Sequence, residues 1–216
     1  MKLPHRRARI LAVALASAML AALALTFVPG AQAHGTKGQA TDADTLLYRG
    51  ATTVALDPGA AGALTSLGIS VAPTGPAYAS KAGISFPITL GVVDATDLTG
   101  QIRHAGGLVF TKGTTRVFLS RYFIDIDATP SLSGKVGTAA GTGDRAELFS
   151  LDLTGLKVST GWNSIKLSGV TLKLTAGAAA ALNGAFGAGA TPFAEGLVIG
   201  TATVSARTWT VPAWAR

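Results

Sequence analysis

Histidine is scarce in this chain, and two of its three histidines stand where they can do chemistry. His104 follows Arg103 and precedes Gly106-Gly107. An imidazole beside a glycine break can be presented at the end of a strand, where a neutral ring nitrogen ligates iron or another metal. The plain alternative is a strand-end histidine that makes a local hydrogen bond, since one imidazole without a companion is not a metal site. His34 follows Ala31-Gln32-Ala33. Cleavage after Ala33 would leave its α-amine and ring free to chelate copper together, with His104 as a second imidazole. Tyr48, Tyr78 and Tyr122, with Trp162, Trp209 and Trp214, are amphipathic aromatics able to line a haem or sugar face, or simply to pack. His104 and Tyr122 are the candidate cofactor-binding pair, and His34 and His104 the candidate metal pair. Asp125 and Asp127 alternate on one strand face, and Asp94 and Asp97 precede the same region. Such carboxylates can share an ion or act as acid and base, but they also mark strands running out into solvent.

Other chemistries are excluded by composition. The sequence has no cysteine, and its two methionines, Met1 and Met19, fall in the expected signal segment, so thiol catalysis and thiolate sites have no basis. Gly106-Gly107 and Gly141-Thr142-Gly143 lack the lysine and following helix of a phosphate loop. Ser120, Ser150 and Ser168 sit in strand-like contexts without a nucleophile elbow. No catalytic constellation emerges, and a non-enzymatic binding or surface module is the expectation.

The elements that must position these residues begin after an export signal. Lys2, Arg6, Arg7 and Arg9 form a basic start, Ile10 to Val28 is apolar without a charge, and Ala31-Gln32-Ala33 is a small-x-small cleavage site. We expect residues 1–33 to be removed, 34–43 to form a polar leader, and 44–216 to form one β-rich domain that is secreted or loosely associated with the cell envelope. No second apolar run of spanning length follows. The formal charge of +7 includes the four cations of the signal. The exported part is thus less basic than the whole, and with no basic cluster interleaved with aromatics a nucleic-acid partner is not expected.

Along the domain, short β-branched and aromatic runs alternate with Gly, Pro and Asp punctuation. The pattern predicts a mostly antiparallel sandwich or barrel-like fold with one or two short helices. Asp57-Pro58 before an alanine-rich run predicts a capped helix ending near Gly68, and a second helix is predicted over about 176–186. The two strand-to-helix corners, from Val54 and from Leu172, resemble one another. Pro87 assigns its strand to an edge or a bulge, Lys112-Gly113-Thr114 reads as a hairpin tip, and Gly134 to Gly143 reads as a turn region. The run Arg116 to Asp127 predicts a central strand with Phe118, Tyr122, Ile124 and Ile126 on its buried face.

The order of these pieces resembles the haem-transport-associated (HtaA) domain of actinobacterial secreted proteins, over about Gly100 to Val204. The matching segments are Gly106-Gly107-Leu108-Val109-Phe110-Thr111, Arg116 to Asp127, Leu151-Asp152-Leu153, and Leu174-Thr175-Ala176-Gly177-Ala178-Ala179-Ala180. The resemblance implies the family fold and haem binding or transport. Two family features have no counterpart: a tryptophan-rich opening that carries the haem-ligating tyrosine, and a histidine after the hairpin turn, where Lys112-Gly113-Thr114 stands. A start at His34 is similar to that of copper polysaccharide monooxygenases and periplasmic copper-binding sandwiches, which implies a copper-binding protein or oxidase as a further alternative.

Overall fold

The computed structural model describes residues 44–187 and 191–210. In chain order the elements are β1 (Asp44–Leu56), α1 (Pro58–Ser66), β2 (Ser70–Thr74), β3 (Tyr78–Ser80), β4 (Gly83–Asp94), β5 (Gly100–His104), β6 (Gly107–Lys112) and β7 (Thr115–Ile126). They continue as β8 (Ser131–Gly137), β9 (Asp144–Asp152), β10 (Lys157–Gly161), β11 (Ser164–Leu174), α2 (Ala176–Phe186) and β12 (Val198–Thr210). The signal segment, the leader with His34, and Trp214 lie outside the described residues.

The strands follow one another around the wall as β7-β5-β4-β1-β12-β11-β9-β8, and β8 pairs back onto β7. The sheet closes on itself, so the fold is an antiparallel barrel, the second of the two architectures the strand pattern allows. Closure removes the free edges that an open sheet would leave unpaired. Four short strands are added to this ring: β6 on β7 with β2 beside it, β3 on β4, and β10 on β11.

Each helix starts where the sequence changes from alternating to alanine-rich. The Asp57 carboxylate accepts hydrogen bonds from the Gly59 and Ala60 amides at 2.8 and 3.1 Å, and Pro58 occupies the first turn. Thr175 does the same for α2 through the Ala178 amide at 3.2 Å. The two corners that resemble each other in sequence therefore have one structural meaning: a wall strand ends in a cap, and a helix folds over the barrel.

Leu47 and Ile102 are wholly buried inside the ring, together with Phe86, Leu119, Ile124, Leu148, Leu167 and Leu172. A second cluster, with Leu64, Leu174, Phe186 and Phe193, joins both helices to one end of the barrel. Asn183 locks this cap by donating to the Phe193 carbonyl at 2.8 Å and accepting from the Phe193 amide at 3.0 Å.

Two expectations are corrected and one is narrowed. Of the edge and the bulge open to Pro87, the structure takes the bulge, since β4 runs between β1 and β5 in the wall. The irregularity needed for its missing N–H is the register shift between Ile88 and Leu90. Residues 134–137 belong to β8 rather than to a turn, and Gly134 is needed there because a Cβ would lie 2.9 Å from the Tyr122 ring. In β7, Tyr122, Ile124 and Ile126 face inward as expected, but Phe118 does not. Leu119 is the buried residue before the irregularity, and Phe118 turns out beneath the Arg116 guanidinium, 5.3 Å from its ring centre. Arg121 causes the switch. Its φ of 52° marks a bulge, with a register shift between Ser120 and Phe123, and an added residue exchanges the two faces of a strand.

Candidate functional site: an apolar cavity under the helix cap

The bulge in β7 brings Tyr122 to the same interior level as the end of β5. Arg103 pairs with Phe123, so His104 lies beside Tyr122 on the neighbouring strand. On the other side, His104 pairs with Ile88 of β4, and Phe86 of β4 pairs with Thr52 of β1. Tyr122, His104, Phe86 and Thr52 thus form an inward belt across four adjacent strands. The Phe86 and Tyr122 rings meet edge to face, 5.1 Å between centres.

Above this belt the barrel is not filled. A cavity of about 260 Å³ extends from Thr52, His104 and Tyr122 up to the two helices. Its wall is almost entirely apolar, with Ile84, Phe110, Leu119, Leu148 and Leu172 among the lining residues. The space exists because of what the helices present. Ala60, Ala63 and Leu64 of α1, and Ala178, Ala181, Leu182 and Ala185 of α2, follow i, i+3, i+4 spacing and place mostly methyl groups over the barrel. Ala181 and Ala185 line the cavity and are also exposed, so its mouth opens along α2. Alanine at these positions reads in sequence as helix propensity. Its second meaning, room, is visible only once the helix face is known.

His104 is the polar group with capacity to spare. Its Nε2 shares a 2.7 Å hydrogen bond with the Thr52 hydroxyl, and its Nδ1 is buried without a hydrogen-bond partner. Burial pushes its pKa down to about 4, opposed by the nearby Tyr122 backbone carbonyl, so the ring is neutral at pH 7. A neutral imidazole with one uncommitted nitrogen can accept or donate one hydrogen bond, or ligate a metal. Tyr122 is different. Its hydroxyl donates to the Leu119 carbonyl at 3.1 Å, and burial raises its pKa, so the phenol keeps its proton at neutral pH. The structure therefore brings the two cofactor candidates together, with the Tyr122 hydroxyl already engaged and one His104 nitrogen without a partner.

The remaining candidates do not converge on this site. His34 lies outside the described residues. Among the described residues no group of three His, Asp or Glu side chains gathers as a metal site. Asp94 accepts from the Thr96 and Asp97 amides, and Asp127 accepts from the Thr129 amide, so both cap turns. Asp125 accepts from the Gln101 side chain on the outer surface. Lys112 donates its Nζ to the Phe186 carbonyl at 2.8 Å, a cation at the C-terminal end of α2 that ties the β6–β7 hairpin to the cap.

A closed antiparallel barrel with an apolar cavity under a two-helix cap is a ligand-binding architecture by shape. The Htaa family model matches residues 58–195, and this chain belongs to that family. Among solved structures, the C-terminal domain of HtaA from Corynebacterium glutamicum has the same fold, with a TM-score of 0.57 at 16% identity over 76% of this chain and 99% of that one. The N-terminal domain of HtaA from the same organism gives 0.49 at 16% identity over 74% and 97% of the two chains. The heme binding protein HtaB from Corynebacterium glutamicum gives 0.48 at 13% identity over 78% and 96%. No curated protein matches the chain.

Proposed function

We propose that this protein is a non-enzymatic binding module of the secreted or envelope-associated type, and that its ligand is haem. The observation that carries the reading is His104, a neutral imidazole with an unpartnered Nδ1 lining the largely apolar cavity beneath the cap. Membership in a haem-transport-associated family supports the same ligand class. Haem, when bound, would supply an iron centre, and a neutral imidazole nitrogen is a standard protein ligand for it. The apolar walls suit the macrocycle face. The described lining residues include no basic side chain to pair with propionates, so those groups belong at the mouth rather than inside.

Cavity size sets the form that binding takes. An engineered cavity of about 150 Å³ accommodates benzene, so about 260 Å³ receives part of a tetrapyrrole and not the whole. That same limit favours a second reading, an iron-free apolar molecule small enough to enter entirely. Stoichiometric haemin added to purified protein separates the two. The first reading predicts a protein-induced Soret change that is altered or lost in His104→Ala. Absence of any spectral change removes the haem reading, and an unchanged spectrum in the variant removes His104 as ligand.

The copper alternative rests on His34, and mass spectrometry of the exported N-terminus decides it: a start at any other residue ends that reading.

A further inference from the structure

Below the belt of Thr52, His104 and Tyr122 the barrel holds a second, smaller cavity of about 70 Å³. It lies toward the end away from the helices, where Ile126, Leu153 and Leu156 line it. β12 makes the room. Ala202 is buried and pairs with Val54 of β1 on one side and Val170 of β11 on the other, and its methyl group leaves space that a larger side chain would fill.

Leu98 forms the floor. It belongs to the turn after β4, fastened by the Asp94 amide donating to the Thr99 carbonyl at 2.8 Å and by the Leu98 amide donating to the Asp94 carbonyl at 3.0 Å. Residues 95–97 of that turn are exposed, whereas Leu98 is half-buried against the core. Its φ of 66° is left-handed, a conformation that suits glycine and strains a leucine. What the leucine supplies there is a side chain that lines the cavity.

The two cavities are stacked along the barrel and adjoin. Thr52, Val54, Ile124, Leu132 and Leu172 line both, so side chains rather than backbone stand between them. The polar groups lining the lower one are already engaged: the Thr52 hydroxyl by His104, and the Asp97 carboxylate by the Thr99 amide and hydroxyl. What enters there must need no hydrogen bond.

Shape and lining together select a ligand class. Benzene occupies an engineered cavity of about 150 Å³, which scales to about ten heavy atoms in the upper cavity and about three in the lower. A compact molecule uses one cavity, whereas a molecule that uses both is a chain. We propose that the protein takes an unbranched apolar chain whose terminal carbons enter the lower cavity and whose polar head stays at the mouth along α2. The proposal rests on the reading of the upper cavity as the site of an iron-free apolar molecule, and it names that molecule's class.

Isothermal titration calorimetry with a homologous series of 1-alkanols, hexanol to tetradecanol and each below its solubility limit, tests it. The expected result is an affinity that rises about fourfold per methylene until both cavities are filled. Ala202→Leu adds about as many carbons as the lower cavity holds, so the rise should end about three carbons earlier while shorter alkanols bind as they do to the parent. Leu98→Ala lowers the floor and should carry the rise to longer chains. At a half-buried turn position, it keeps the test standing if the Ala202 variant does not fold. No binding of any alkanol removes the iron-free reading and this inference with it. Binding whose stopping length neither variant moves confines the chain to the upper cavity and overturns this inference alone.

Discussion

At the scale of single residues, His104 is the position where burial and chemistry meet. An imidazole whose pKa falls from 6.5 to about 4 on folding takes up its proton more readily in the unfolded chain. Stability contributed by keeping it neutral is therefore complete above pH 6.5 and is lost as the pH falls toward 4. The loss amounts to about 3 kcal/mol across that window at about 1.4 kcal/mol per unit of pKa shift. Urea unfolding of the parent and of His104→Gln at pH 7.5, 5.5 and 4.5 measures it: the parent should lose more stability on acidification than the variant, and parallel curves would show that the ring is not held neutral. The existence of His104 as a candidate was legible from its glycine neighbours. Its partners were not, because Thr52 is 52 positions away in sequence and meets it only across the barrel interior.

At the scale of elements, the two helices are the clearest case of local sequence prevailing. Asp57 caps α1 where its cap was expected, and α2, capped by Thr175, spans the expected residues. What the helices do is a property of their faces. The alanine stripe on α2 keeps the cavity open, so a large side chain there should close it. Ala181→Trp places an indole at the mouth at an exposed site where substitution changes stability by about 0.5 kcal/mol or less. The expected outcome is loss of the haemin response with an unchanged melting temperature, and an undiminished response would place the entry elsewhere. Strand β7 shows the opposite lesson. Simple alternation put Phe118 inside, whereas the bulge at Arg121 sends it out and Leu119 in. A non-glycine residue at positive φ leaves little trace in sequence, because arginine has no preference for that conformation.

At the scale of the whole molecule, the barrel is closed by pairings between distant parts of the chain. β12 sits between β1 and β11, and its removal would expose both neighbours along their length. A chain ended at residue 197 should therefore fail to fold rather than lose one strand, read as loss of the cooperative thermal transition and of dispersed amide signals. A truncated chain that still unfolds cooperatively would show that the ring tolerates a gap. The same closure explains why β4 can carry Pro87 inside the wall. With no edge to retreat to, the missing donor is absorbed by a local shift in register.

Sequence by itself determined the β-rich class, the two capped helices, the absence of thiol chemistry, and the residue types from which any site is built. These follow from short-range causes: alternation, caps, and the simple presence or absence of a side chain. Only the tertiary structure decided between sandwich and barrel, joined His104 to Tyr122, Phe86 and Thr52, and hollowed the space beneath the alanines. Each of these depends on strand register and ring closure, which bring residues tens of positions apart onto one face, and no local pattern records that.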